Sequence, residues 1–156
     1  MMAAEGRFIL HRFNGDEVYR FGKAMIWSYS KDPGVTLWFG VWADPDAIRR
    51  CEDSAEMERA PTAEVAIDLP QLDVDQLVGR EFAIPGARSD DEDSSTALLY
   101  YCEHEALRDS RIKVVSRDGS RFWLRWTAVV RVVCHFDGSK PPTLVEIEGE
   151  FSLRPG

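Results

Sequence analysis

Two cysteine-histidine pairs are the first residues of this chain whose types and spacing suggest chemistry. Cys102 and His104 lie two apart in "TALLYYCEHEALRD", beside Glu103 and Glu105, and Cys134 is followed directly by His135. By residue type the four make a tetrahedral zinc set of thiolate and imidazole ligands. On a regular strand Leu98, Tyr100, Cys102 and His104 share one face, so Cys102 and His104 can reach one ion. Cys134 and His135 point to opposite faces, and neither spacing matches a zinc knuckle. The preferred reading is a buried strand emerging into solvent, with Cys102 inside and His104 near the edge.

Catalysis finds little support in the same residues. A catalytic base needs a nucleophile within hydrogen-bond reach and a group to orient it. Glu103 and Glu105 lie on the strand face away from His104, and His11 reads as a strand histidine opposite Val18. The chain has no nucleophile elbow, HExxH, P-loop or dinucleotide-binding glycine pattern. No catalytic residue is assigned and no cofactor is expected.

Two further sets remain. The run "SDDEDSS" supplies Asp90, Asp91 and Asp93 as candidate calcium ligands, with Asp73 and Asp75 in "LDVD" as possible companions. Calcium takes several hard oxygens, but this spacing does not fit an EF-hand, and a charge run is usually a solvated loop. The other set is aromatic. Trp38 and Trp42 share one strand face, and Trp123 lies opposite the main apolar face of its own strand. If they line one concavity, they form a ligand-binding pocket with Arg125 and Arg131 as anchors for an acidic ligand. The alternative is that these rings fill a second layer of the core.

The elements that would position these residues are mostly strands. "RFILHRFNGDEVYRF" holds Asn14-Gly15 between two alternating runs, a strong hairpin signal. Pairing Phe13 with Asp16 sets Arg12 against Glu17, Leu10 against Tyr19 and Phe8 against Phe21. That register makes an apolar face closed at the turn by an ion pair. A third strand, "KAMIWSYS", turns at "KDPG" into "VTLWFGVW", whose two faces are both largely apolar, as in a strand covered on both sides. Asp44 as N-cap, Pro45, and Ile48, Cys51 and Ala55 at helical spacing predict a surface helix from about Pro45 to Arg59.

Strand patterns return in "TAEVAIDL" and "REFAI", joined by a connection with one helical turn. In "RIKVVSRDGSRFWLRWTAVVRVVCHF" a three-residue loop, Arg117 to Gly119, sets Val114 against Phe122 and Ile112 against Leu124. Phe122, Leu124, Trp126, Ala128, Val130 and Val132 then share a face. The last run, "TLVEIEGEFSL", turns Glu146, Glu148 and Glu150 one way, toward the Arg125 and Arg131 face of its neighbour. About nine strands with short turns and one helix predict an all-β, mainly antiparallel domain, either a β-sandwich or a closed barrel. Architecture alone does not imply function.

The totals agree with one domain spanning 1–156. The chain has 156 residues and is 44% hydrophobic, with five Trp, eight Phe and four Tyr to fill a core. A net charge of −8 speaks against nucleic acid or an anionic membrane as partner and for a basic protein. No stretch approaches the roughly 20 apolar residues of a membrane span, and the start lacks the pattern of a secretion signal. Three widely spaced cysteines argue for reduced thiols and a cytoplasmic location. The functional expectation is a noncatalytic binding domain that recognises a basic protein through an acidic surface. A ligand-binding protein or enzyme with an aromatic-lined cavity, and a calcium-dependent binding module, are the alternatives. Oligomeric state is not readable from the sequence.

Overall fold

Alternation of apolar and polar residues, with almost no helical periodicity, commits most of the chain to strands. The structure, a computed structural model, describes residues 5–13, 15–44, 60–85, 97–101, 103–131 and 141–154. The strands are β1 (Gly6–Arg12), β2 (Gly15–Lys31), β3 (Gly34–Ala43), β4 (Thr62–Leu69), β5 (Glu81–Ile84), β6 (Ala97–Tyr101), β7 (Glu103–Asp118), β8 (Arg121–Val130) and β9 (Thr143–Leu153). They form one nine-stranded sheet, ordered β5-β7-β6-β4-β3-β2-β1-β9-β8, with β7 also paired to β8. That extra pairing closes the sheet. Leaving β5 aside, the other eight strands make a ring of eight antiparallel joints, and β2 also pairs with the end of β9 in parallel, Met25 with Ser152 and Ile26 with Leu153. β5 pairs with Ser110 to Lys113 of β7, on the flank that β8 leaves open.

Of the two architectures open to the sequence, the closed barrel is the one formed. An eight-stranded barrel is just wide enough for side chains to fill. Here Phe8, Phe21, Phe39, Phe122, Phe151 and Trp126 are all at most 1% exposed and occupy the interior. Trp126 donates from Nε1 to Ser110 Oγ at 3.3 Å, so its one polar atom is met inside the core. Phe21 and Phe151 pack edge to face, with centroids 5.6 Å apart. Gly6 and Gly149 oppose each other across β1 and β9, and the Phe21 ring lies against both. A side chain at either position would displace that ring.

Most predicted strand faces hold, while two registers shift; on β6 the buried phase is Ala97, Leu99 and Tyr101, not the Leu98 and Tyr100 phase expected to carry Cys102 inward. Tyr19 faces Phe8, not Leu10, and Leu10 faces Glu17, because the strands meet with Arg12 opposite Gly15 (φ 124°). The turn thus lies one residue earlier than Asn14-Gly15. A two-residue change of partner leaves every side chain on its original face, so the apolar pattern cannot distinguish the alternatives. In the β7–β8 hairpin, Asp118 faces Arg121 and Val114 faces Leu124, with a bulge between Val114 and Ser116. The irregularity expected within the loop therefore sits at Val115, which is 36% exposed. It restores Val114 to the inward phase that a tight turn alone would reverse.

Two boundaries also differ from expectation. "EVYRF" and "KAMIWSYS" are one strand, β2, irregular between Phe21 and Lys23. "ALLYYCEHE" is two strands: the chain reverses between Tyr101 and Glu103, so Tyr100 faces His104. This corrects the single strand expected there. The helix predicted from Pro45 to Arg59 lies outside the described residues, among which the one helical turn is a 3-10 turn at Val74–Gln76. Among the described residues no helix is long and apolar enough to cross a membrane.

Candidate functional site

The outer face of β2, β3 and β4 carries a group of large side chains outside the core. Register places them in four cross-strand rows: Lys23, Trp42 and Thr62; Met25, Gly40 and Glu64; Trp27, Trp38 and Ala66; Tyr29, Thr36 and Asp68. Inward-facing Leu37, Phe39 and Val41 alternate with these residues on β3 and are fully buried. The outward tryptophans belong to no interior layer.

Gly40 explains how three indoles fit there. Trp27 stacks on Trp38 at 5.6 Å with planes 3° apart, and on Trp42 at 6.4 Å and 28°. The rims of Trp27 and Trp42 converge over Gly40, where a Cβ would lie 3.0 Å from Trp27 and 3.1 Å from Trp42. A mid-strand glycine thus lets the rings approach the backbone closely. Lys23 caps the stack, its Nζ 5.5 Å from the Trp42 centroid. The ring face attracts that ammonium through its negative quadrupole. The indole N–H of Trp38 is screened from solvent with no acceptor among the described residues.

A second cluster lies inside the barrel, near the ends of β1 and β6. Glu17 is fully buried and accepts from Arg12 Nη1 at 3.0 Å on one oxygen, and from the hydroxyls of Tyr19 and Tyr101 at 2.6 Å each on the other. Arg12 also lies 6.0 Å from the Tyr101 centroid. Burial first, then the hydrogen bond to Glu17, hold the Tyr101 hydroxyl far above the ordinary phenol range. The expected Arg12–Glu17 ion pair is present, though the two are not directly opposite. The sequence reading missed its partners Tyr19 and Tyr101. The signal was Glu17 itself, in the same strand phase as Tyr19 and Phe21. With Glu17, Tyr19 and Tyr101 at most 1% exposed, the cluster is a closed polar clamp rather than an open site.

The residues expected to bind a ligand do not meet. Trp38 and Trp42 are on β3, whereas Trp123 and Arg125 are on the outer face of β8, with three ring strands between them in either direction. This corrects the shared concavity, because both sets point outward while the inward phase of their strands fills the barrel. Trp123 Nε1 and Arg125 Nε both reach the Glu148 carboxylate, at 3.3 Å and 3.2 Å. Arg131 is exposed beyond the end of β8. The acidic face of β9 meets Arg125, as expected, and two residues that were not, Arg121 and His11. Glu150 pairs with Arg121 at 3.4 Å, and Glu146 with His11 at 3.1 Å. His11 also bonds Asp16, its true cross-strand partner in place of Val18.

Asp90, Asp91 and Asp93 lie outside the described residues, as do Cys102, Cys134 and His135. Asp73 caps the 3-10 turn by accepting from the Asp75 amide, and Asp75 pairs with Arg117 at 2.6 Å. Among the described residues no three His, Cys, Asp or Glu side chains converge to hold a metal. The chain matches no protein-family model, no curated protein and no solved structure.

Proposed function

We propose that this chain is a noncatalytic cytoplasmic binding domain that recognises a basic protein partner through the outer face of β2, β3 and β4. The observation that carries this reading is the Trp38–Trp27–Trp42 stack, already capped by one cation, beside a β4 column bearing Glu64 and Asp68. Aromatic faces attract Lys and Arg heads, and carboxylates alongside add directional charge-assisted hydrogen bonds. The net charge of −8 favours approach of such a partner.

The test is a tryptophan fluorescence titration with nona-arginine, at low and high salt, with oligo-glutamate as control. Saturable quenching by the basic peptide, weakening as salt rises and lost in Trp42→Ala, is the expected result. An unchanged spectrum, or an equal response to both peptides, overturns the reading.

A further inference from the structure

At one end of this face lies a concavity that the aromatic rows leave open. Asp32, Pro33, Gly34 and Val35, from the β2–β3 turn and the start of β3, line a cleft of about 370 Å³ with Asp68, Leu69 and Pro70. Small-ligand clefts span about 300–1,000 Å³, so this one suits a single side chain or a small group. Asp68 belongs to the last outward row, with Thr36 and Tyr29, whereas Val35 and Leu69 oppose each other in the alternate phase, so the cleft lies at the strand ends where the two faces meet. Tyr29, in that outward row, is 49% exposed.

The lining has two chemistries. Pro33, Val35, Leu69 and Pro70 give apolar walls, while Asp32 and Asp68 supply carboxylates. Asp68 is held in orientation by Thr36, whose hydroxyl donates to its Oδ1 at 2.7 Å and which is itself 2% exposed. Apolar walls with anionic groups match an amphipathic cation, whose aliphatic stem packs while its head is paired. Among the described residues no three His, Cys, Asp or Glu side chains converge here or elsewhere to hold a metal ion. Guanidinium fits better than ammonium, because it is planar, less strongly hydrated and able to address two carboxylates at once.

We infer that this cleft is a specificity pocket for an arginine side chain, an inference that rests on the proposed basic-partner function. A partner's arginine lies between Asp32 and Asp68, and its flanking residues run along the β2–β3 face toward the tryptophan stack. The pocket thereby makes the domain selective for arginine, which the aromatic stack alone does not.

The experiment is an NMR titration of the ¹⁵N-labelled full chain with acetyl-Gly-Arg-Gly-amide and its citrulline counterpart, which keeps the shape and removes the charge. Amide shifts at Gly34, Val35 and Leu69 with the arginine peptide are expected. The citrulline peptide and the Asp32→Asn variant should each weaken binding about tenfold or more, the effect of losing a charged hydrogen bond. Asp32 is an exposed turn residue, and an unchanged melting temperature verifies that the variant folds. Shifts confined to the indole N–H signals of Trp27, Trp38 and Trp42 overturn the pocket and leave the broader surface reading standing. Equal binding of both peptides, or no effect of Asp32→Asn, also overturns it. No shift at either place overturns the pocket, and nona-arginine then judges the surface separately.

Discussion

Replacing Glu17 by Leu is the sharpest probe of how the barrel is held at its polar end. The change removes the carboxylate that accepts from Arg12, Tyr19 and Tyr101, beside a guanidinium whose side chain is 1% exposed. Breaking one side of a buried ion pair costs about 3–5 kcal/mol. The two tyrosine hydroxyls add to the cost, but as members of one network their contributions overlap and are not summed. For a domain of this size each kcal/mol moves the melting temperature by about 2–4 °C, so a fall of about 6–20 °C is expected. Thermal and urea melts followed by far-UV circular dichroism measure it. The decisive comparison is with Arg12→Met and the double variant. Once the buried charge is gone, the double variant should be more stable than Glu17→Leu alone, since well-packed apolar replacements of buried pairs are often neutral. A Glu17→Leu cost under about 1 kcal/mol, or a double variant less stable than the Glu17 single, would refute the reasoning.

Tyr101 gives a prediction in pH. Its folded-state pKa lies above its unfolded value, so its neutral form is favoured in the fold. That contribution is complete below about pH 10, the unfolded value, and declines as pH rises beyond it. Urea midpoints measured from pH 8 to 11 should fall on the alkaline side, and more shallowly in Tyr101→Phe; parallel curves would contradict this. Gly40→Ala places a methyl 3.0 Å from Trp27 and 3.1 Å from Trp42, and should alter the near-UV circular dichroism of the stacked indoles. Because those rims are flexible side-chain ends, its stability cost should stay within about 1–3 kcal/mol. Gly149→Ala is expected to be the worse substitution, because its Cβ would lie 2.5 Å from the backbone of Glu5 and Gly6 as well as from Phe21. Comparing the two melting temperatures checks that order.

Which side chains face inward was legible because strand alternation is a local signal. Phe8 and Leu10, Tyr19 and Phe21, and Phe122 through Val130 all take the faces their spacing implies. Register was less legible, since moving Tyr19 from Leu10 to Phe8 changes no face. The reversal between β6 and β7 could not be found at all. Apolar alternation continues into it, and no Gly, Pro, Asn or Asp marks the reversal. For the candidate site, Trp38 and Trp42 could be picked out, but their companion Trp27 could not. Its membership depends on β2 lying beside β3 with Trp27 opposite Trp38. The Arg12–Glu17 pair was visible at the first turn, whereas Tyr101 comes from a strand distant in sequence. Trp123 was misassigned to a shared pocket because alternation tells which face a residue takes, and not which part of a closed wall carries that face.

Ring closure carries a consequence for the order in which the molecule assembles. Most of its joints connect strands that follow one another in the chain, and β4–β6 skips only β5. The β1–β9 joint instead brings Gly6 against Gly149 across nearly the whole sequence. Contacts so distant in sequence carry the largest loop-closure entropy and tend to slow folding. The hairpins should therefore gain protection first, and the seam last, during refolding. Until that seam forms, β1 and β9 each present an open flank. The same rows of amide and carbonyl groups that complete the wall can then pair with another chain, making the time to closure the period in which this protein is most exposed to self-association.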